Sequence, residues 1–390
     1  MSHRIYNRLT LAAILVTASP LVLAETEKSP ATRTDGANAL QGNPTRVLES
    51  ARLTDMDALI ERLLDRRVIF VGEQHDRYED HINQAAIIEG LLARGRSVAI
   101  GMEMFQQPYQ PALDAYVAGE IDEAELLRRT QYFDRWRFDY RLYRPILSLA
   151  RVHGIPVIAL NLESELTRQV GDGGIASLSE DDRARLPELD RSDAEYRARL
   201  ETVFKHHPAE QPRNFEHFLE VQLLWDEGMA ERTARYLTEN PDSTLVVIAG
   251  SGHVEFSQGI PQRLTRRLSV SMATLLNGHG RTPDPRMADF FLYPDPVELP
   301  ASGQLGVMLG QPAADGGMPI EGFAEESGAK AAGLQTGDRI VQVGGQSIAS
   351  YADIRLALLD VEQGGKIEIE VIRSRLLGTG ERLTVEVELH

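Results

Sequence analysis

Short apolar runs that break abruptly into polar residues recur along the chain. Val68-Ile69-Phe70-Val71 runs into Gly72-Glu73-Gln74-His75. Ser97-Val98-Ala99-Ile100-Gly101-Met102 is followed by Glu103, and Ile155-Pro156-Val157-Ile158-Ala159-Leu160 by Asn161. Thr244-Leu245-Val246-Val247-Ile248-Ala249 leads into Gly250-Ser251-Gly252-His253, and residues 270–275 suggest a fifth run. Continuous apolar runs of this length, rich in β-branched residues, predict strands buried on both faces of a parallel sheet. Gly72 is expected to turn the backbone sharply where the first strand ends. Between the runs the apolar spacing is helical. Ile82, Ala85, Ala86, Ile88 and Leu92 share a face over residues 78–94, and Gly95 closes that stretch. Residues 54–64 and 140–153 predict helices leading into the first and third strands. A long helical insert separates the third and fourth strands. It opens at Ser179-Glu180-Asp181-Asp182, continues over 192–206 and ends in a helix over 214–239. There Phe215, Phe218, Gln222, Trp225, Asp226, Met229 and Thr233 fall at three- and four-residue steps. The class is therefore α/β: a mostly parallel sheet flanked by helices, with a long helical insert.

If the strands are parallel, His75, Glu103, Asn161 and His253 converge on the carboxyl edge of the sheet, where α/β proteins bind ligands. Two chemistries suit them. Imidazole and carboxylate select zinc, manganese, iron or cobalt, with His75, Glu103 and His253 as ligands. A metal-bound water would then be the nucleophile and a spare carboxylate the general base, making Glu73, His75, Glu103 and His253 the catalytic set. Asn161, Gln222 and Asp226 are candidates for the hydrogen-bond partners behind those ligands, although Gln222 and Asp226 also fit the rim of a wide apolar face. The second chemistry is a non-covalent haem, which needs an axial His or Tyr and an apolar wall. Tyr109, Tyr132, Tyr140 and Tyr143 are candidates, with His75 and His253. Trp136, Phe138, Asp139, Tyr140 and Tyr143 form an aromatic cluster, most of which helix packing would explain. No Gly-x-Ser-x-Gly elbow or phosphate loop is present.

Composition narrows this further. A length of 390 residues suggests two or three domains. A formal charge of −17 with no basic stripe argues against a nucleic-acid partner. With no cysteine, disulfides, thiolate metal sites, thiol nucleophiles and covalent haem attachment are excluded. Arg4 and Arg8, an apolar run over 9–23 and Ala24 predict a signal peptide at 1–24, too short and interrupted for a membrane span. Residues 25–50, with Pro30, Gly36, Gly42 and Pro44, predict a flexible lead. The expectation is a periplasmic or secreted protein, soluble after cleavage.

Several motifs carry a resemblance. Gly72-Glu73-Gln74-His75, Gly101-Met102-Glu103-Met104-Phe105, Phe133-Asp134-Arg135-Trp136 with Asp139-Tyr140, Ala159-Leu160-Asn161, Gln222-Leu223-Leu224-Trp225-Asp226 with Met229-Ala230, and Gly250-Ser251-Gly252-His253 with Gly259-Ile260-Pro261 resemble the ChaN family. That family belongs to a superfamily with Tiki and erythromycin-esterase-like proteins. The resemblance spans residues 55–276 and implies a bacterial protein tied to haem binding and iron acquisition. Its Tiki relatives are metal-dependent proteases whose ligand positions correspond to His75, Glu103 and His253. Many ChaN-like proteins are lipoproteins, and this chain has no cysteine to lipidate.

The tail resembles a PDZ domain of bacterial envelope proteases. Gln304-Leu305-Gly306-Val307 matches its carboxylate loop, followed by Ser327-Gly328-Ala329-Lys330-Ala331-Ala332-Gly333-Leu334 and Gly337-Asp338-Arg339-Ile340-Val341-Gln342-Val343-Gly344-Gly345. A helix over 351–360 and strands over 367–372 and 383–388 complete it. Such a small β-rich fold takes a peptide as an extra strand. Leu305, Gly306, Val307, Ile354 and Leu358 are the expected contacts for an envelope protein's C-terminal peptide. The organisation is then an α/β domain over 51–280, a Pro-rich linker over 281–302 with an edge strand near 288–293, and a PDZ domain over 303–390. The resulting expectation is an exported bacterial haem-binding protein in envelope iron and haem handling, and a homodimer fits it. A metal-dependent hydrolase or protease, and a non-catalytic PDZ scaffold, stay open.

Overall fold

The computed structural model describes residues 49–206, 214–374 and 380–390. The signal peptide and nearly all of the lead lie outside the described residues. Six strands form one sheet in the order β3-β2-β4-β1-β5-β6. They are β1 Val68–Glu73, β2 Val98–Gln106, β3 Val157–Asn161, β4 Thr244–Gly250, β5 Met272–Asn277 and β6 Phe290–Leu292. β1 pairs in parallel with β4 and β5, with Val68 opposite Leu245 and Met272, and β2 pairs in parallel with β4. Every residue of β1, β2 and β4 is buried. Their apolar runs lack an alternating polar face because helices cover both sides of the sheet.

Three details differ from the sequence reading. β2 does not stop at Met102. Met104 and Phe105 are also buried and carry the strand through Gln106, so Glu103 lies within it. Gly72 is inside β1 rather than at a turn, and close approach explains it. A Cβ there would lie 2.6 Å from Leu276 Cδ2 and 3.1 Å from Ser251 Cα. The charged helix expected to open the insert is only Glu180–Ala184, and a helix over Ser164–Gly173, absent from the sequence reading, precedes it. The edge strand expected near 288–293 is present as β6, parallel to β5.

The chain divides into two compact units. The first comprises the described residues up to Gln74, Asn83–Glu103 and Glu165–Pro294. Its long helix Phe215–Glu239 begins where the Asn214 side chain accepts from the Glu216 amide, and it is buried around most of its circumference. Helix Ala194–His206 packs Tyr196 and Leu200 against Phe218, Leu219 and Leu223. Glu227, fully buried, is met by Arg263 at 3.3 Å and by Arg266 and Arg267 at 2.6 Å each. A buried carboxylate persists only with such partners.

The second unit comprises His75–Ile82, Met104–Ser164 and Asp295–His390. Its helix Arg144–His153 starts with Pro145 in the first turn and stops at Gly154, which takes the left-handed conformation with φ 63°. The tail of this unit is an antiparallel sheet in the order β12-β11-β9-β8-β7. Its strands are β7 Val307–Leu309, β8 Met318–Phe323, β9 Arg339–Val343, β10 Gln346–Ser347, which pairs with β9, β11 Lys366–Arg373 and β12 Glu381–Glu388. Ile367, Ile369 and Val371 alternate inward along β11 onto a core with Leu305, Ile320, Ile340 and Val387. Helix Tyr351–Ala357 starts at a capping box between Ser350 and Asp353. Among the described residues, no helix is long and apolar enough to cross a membrane.

Candidate functional site

In the first unit the chemistry gathers at the carboxyl ends of the adjacent strands β2, β4 and β1. His253 follows β4 by a single 3-10 turn, Ser251–His253. Its Nδ1 lies 2.6 Å from Asp226 Oδ1, and its Nε2 lies 3.5 Å from Glu103 Oε1. Glu103 Oε2 accepts from the Gly250 amide at 2.7 Å, so strand geometry sets the carboxylate. Asp226 is committed on both oxygens, because Oδ2 accepts from the Tyr196 hydroxyl at 2.5 Å. The loop after His253 is tightly wound. Phe256 and Ser257 both have positive φ, 59° and 55°, which costs about 1–3 kcal/mol for each non-glycine residue. Gly259 lies so close that a Cβ would reach 2.1 Å from the His253 carbonyl oxygen. Arg199 pins the loop through Glu255 at 2.9 Å and the Gly252 carbonyl at 3.2 Å. Glu73, at the end of β1, accepts from Gln84 at 2.7 Å.

Burial works against a charged His253, but Glu103 and Asp226 outweigh it, and the pKa is pushed up from 6.5 to about 9. The folded-state value lies above the unfolded one. The imidazolium therefore contributes stability that is fully present below about pH 6.5 and lost as pH rises through about 9. An NMR titration of the metal-free protein should show His253 titrating near pH 9, and Asp226→Asn should bring it down by a unit or more, each unit being about 1.4 kcal/mol. A wild-type titration near 6.5 would overturn the charged-pair geometry. Burial first, and then the Asp226 charge, raise the Tyr196 phenol well above its ordinary value, so it stays a donor.

In the second unit His75 is half-buried between two rings, with centroids 4.9 Å from both Trp136 and Phe138. Arg137, between them, has φ 71°. Trp136 and Phe138 are two residues apart and both rings meet the one imidazole. Trp136 Nε1 donates to Tyr143 Oη at 3.2 Å, and His81 Nε2 lies 3.2 Å from the His75 carbonyl oxygen.

The structure sorts the tyrosine candidates. Tyr132, Tyr140 and Tyr143 are 1%, 0% and 0% exposed, packed as rings in the aromatic cluster, so an entering ligand would have to break that core to reach them. Tyr109 is half-buried with the Arg135 guanidinium 4.9 Å from its ring centroid. Asn161, the last residue of β3, uses its side-chain oxygen on the Leu162 amide at 2.9 Å. Gln222 is buried on the long helix. In the tail, Leu305, Ile354 and Leu358 belong to the packed core. Gly306, with φ 68°, and Val307 are half-buried at the start of β7, which lies at the sheet edge. Sequence reasoning missed Tyr196, Glu227 and Arg199, since each meets its partner across a long sequence separation. The clustered arginines at 263, 266 and 267 were the one visible hint of a buried anion.

Among the described residues, no group of three or more His, Cys, Asp or Glu side chains is arranged to hold a metal ion. The metal-hydrolase alternative therefore has no such group to rest on among them.

A parallel sheet with His and Glu at its carboxyl edge, carried in one chain with a small antiparallel peptide-binding type of domain, defines a two-module α/β protein. The chain belongs to the family described as haem-binding uptake, Tiki superfamily, ChaN, whose family model matches residues 59–264. Residues 303–389 match the PDZ domain. Protein RETICULATA-RELATED 5, chloroplastic, of Arabidopsis thaliana is 25% identical over 239 residues, 55% of this chain and 31% of that protein. The chain thus spans about a third of that relative's length. Among solved structures, ChaN of Campylobacter jejuni with cofacially bound haem is 20% identical with a TM-score of 0.49, covering 60% of this chain and 89% of that one. A serine endoprotease from Yersinia pestis is 19% identical with a TM-score of 0.19, covering 23% of this chain and 28% of that one.

Proposed function

We propose that this protein binds haem at His75 and serves envelope haem and iron handling after export, with its PDZ domain taking a partner's C-terminal peptide. Membership of a haem-binding family supports the ligand class. The observation that carries the site is His75 itself: a half-buried imidazole flanked by Trp136 and Phe138 combines an iron ligand with an apolar wall. When bound, haem supplies an iron centre that takes axial ligands. The chain's part is to present the imidazole and to cover a porphyrin face with aromatic rings. Titration of haemin into the full chain, followed at the Soret band, tests the reading, and a spectrum of free haemin throughout rejects it. Export rests on Arg4, Arg8, the apolar run over 9–23 and Ala24. Mass spectrometry of the native protein should find a mature chain starting at Glu25, and an intact Met1 terminus would count against export.

A further inference from the structure

The helix expected from its sequence to line the PDZ peptide groove also packs on the module carrying His75. Helix Tyr351–Ala357 packs on helices Glu123–Arg129 and Tyr132–Arg135. Leu356 and Leu359 are buried, 9% and 8% exposed, yet lie outside the PDZ core that holds Ile354 and Leu358. Charged contacts frame this seam. Arg128 meets Asp353 at 3.1 Å, and Arg144 bridges Asp360 at 2.5 Å and Glu123 at 2.7 Å. Arg355 lies 5.3 Å over the Phe133 ring, and Arg144 5.7 Å over that of Tyr140. Trp136 is the C-terminal cap of helix Tyr132–Arg135, its amide bonded to the Tyr132 carbonyl.

We propose that peptide binding in the PDZ groove and ligand binding at His75 are negatively coupled through this seam. A peptide added at the edge strand β7 pushes on helix Tyr351–Ala357. Helix Tyr132–Arg135 moves with it, and Trp136 is drawn away from His75. The peptide-free state holds the aromatic wall assembled, so it is the state that retains ligand, and groove occupancy favours release. By linkage, ligand at His75 weakens peptide binding by the same factor.

The test uses the full chain with Trp225→Phe, which leaves Trp136 as the sole tryptophan. The probe is the tightest tryptophan-free peptide with a free carboxylate from a random C-terminal library. Saturating peptide should change Trp136 emission, and it should weaken haemin binding by about five-fold or more, the low end of usual coupling energies. Combining Arg128→Ala, Leu359→Ala and Asp360→Asn should abolish both effects while peptide affinity stays within about two-fold, since none lies in the groove. If that triple variant no longer binds peptide, the pair Arg128→Ala with Asp360→Asn replaces it. Unchanged Trp136 emission, an equal response in the uncoupled variant, or a library with no carboxylate-dependent binder would overturn the proposal. The haemin arm rests on the haem reading and the emission arm does not. Absence of a Soret band therefore rejects haem alone, and Trp136 still decides the coupling.

Discussion

His75→Ala is expected to weaken haemin binding by more than about 100-fold, beyond the 10–100-fold typical when only an outer partner of a metal ligand is lost. Circular dichroism should be unchanged, because His75 follows the end of β1 and contributes little to the core. Trp136→Ala removes one wall of the site and not the ligand. It should cost about ten-fold, in line with the 0.5–1.5 kcal/mol of an aromatic contact beyond its area. Tyr109→Phe serves as the control, as the half-buried phenol among the candidates. Loss of the Soret band in Tyr109→Phe with retention in His75→Ala would move the axial ligand to tyrosine and overturn the His75 site.

The largest stability effect is expected at Glu227, far from any ligand. Glu227→Ala leaves Arg263, itself 2% exposed, with its charge buried and uncompensated. Breaking a buried ion pair from one side costs about 3–5 kcal/mol. Urea unfolding followed through Trp225, on the same long helix, should show the midpoint falling by that free energy divided by the m-value, and a loss under about 1 kcal/mol would mean that water enters the cluster. The effect should also reach His253. The Arg263 guanidinium lies 4.3 Å from the Tyr196 ring centroid, and the Tyr196 hydroxyl holds Asp226 against His253. An NMR titration of His253 in the Glu227 variant reads whether Asp226 stays in place.

The strands were legible because burial on both faces writes itself as unbroken apolar runs. Even the short β6 showed as a break in the Pro-rich stretch. The end of β2 was misplaced because Glu103 looks like a terminator. It is tolerated in the strand because the Gly250 amide and His253 receive it, partners invisible in the local pattern. Asp226 was conspicuous as a carboxylate in an apolar helical stripe, and it lies against His253. Its neighbour Glu227, equally buried, did not stand out because nothing local distinguishes a carboxylate facing three arginines. Among the haem candidates, composition could not separate tyrosines that fill a core from those that face a ligand. That distinction depends on which rings pack on one another, as Tyr132 does on Phe133 and Tyr140, and those contacts form only in the fold.

The PDZ domain's two ends meet. The Gln304 amide donates to the His390 carbonyl at 3.0 Å, and the His390 amide returns a bond to Gln304 at 3.2 Å. A domain whose two ends close on each other is a self-contained unit. Its core is completed by its own residues, from Leu305 to Leu389, so such a unit can pass from one chain to another as a piece. What is particular to this chain is the fit of one helix face, where carboxylates at 353 and 360 face arginines at 128 and 144.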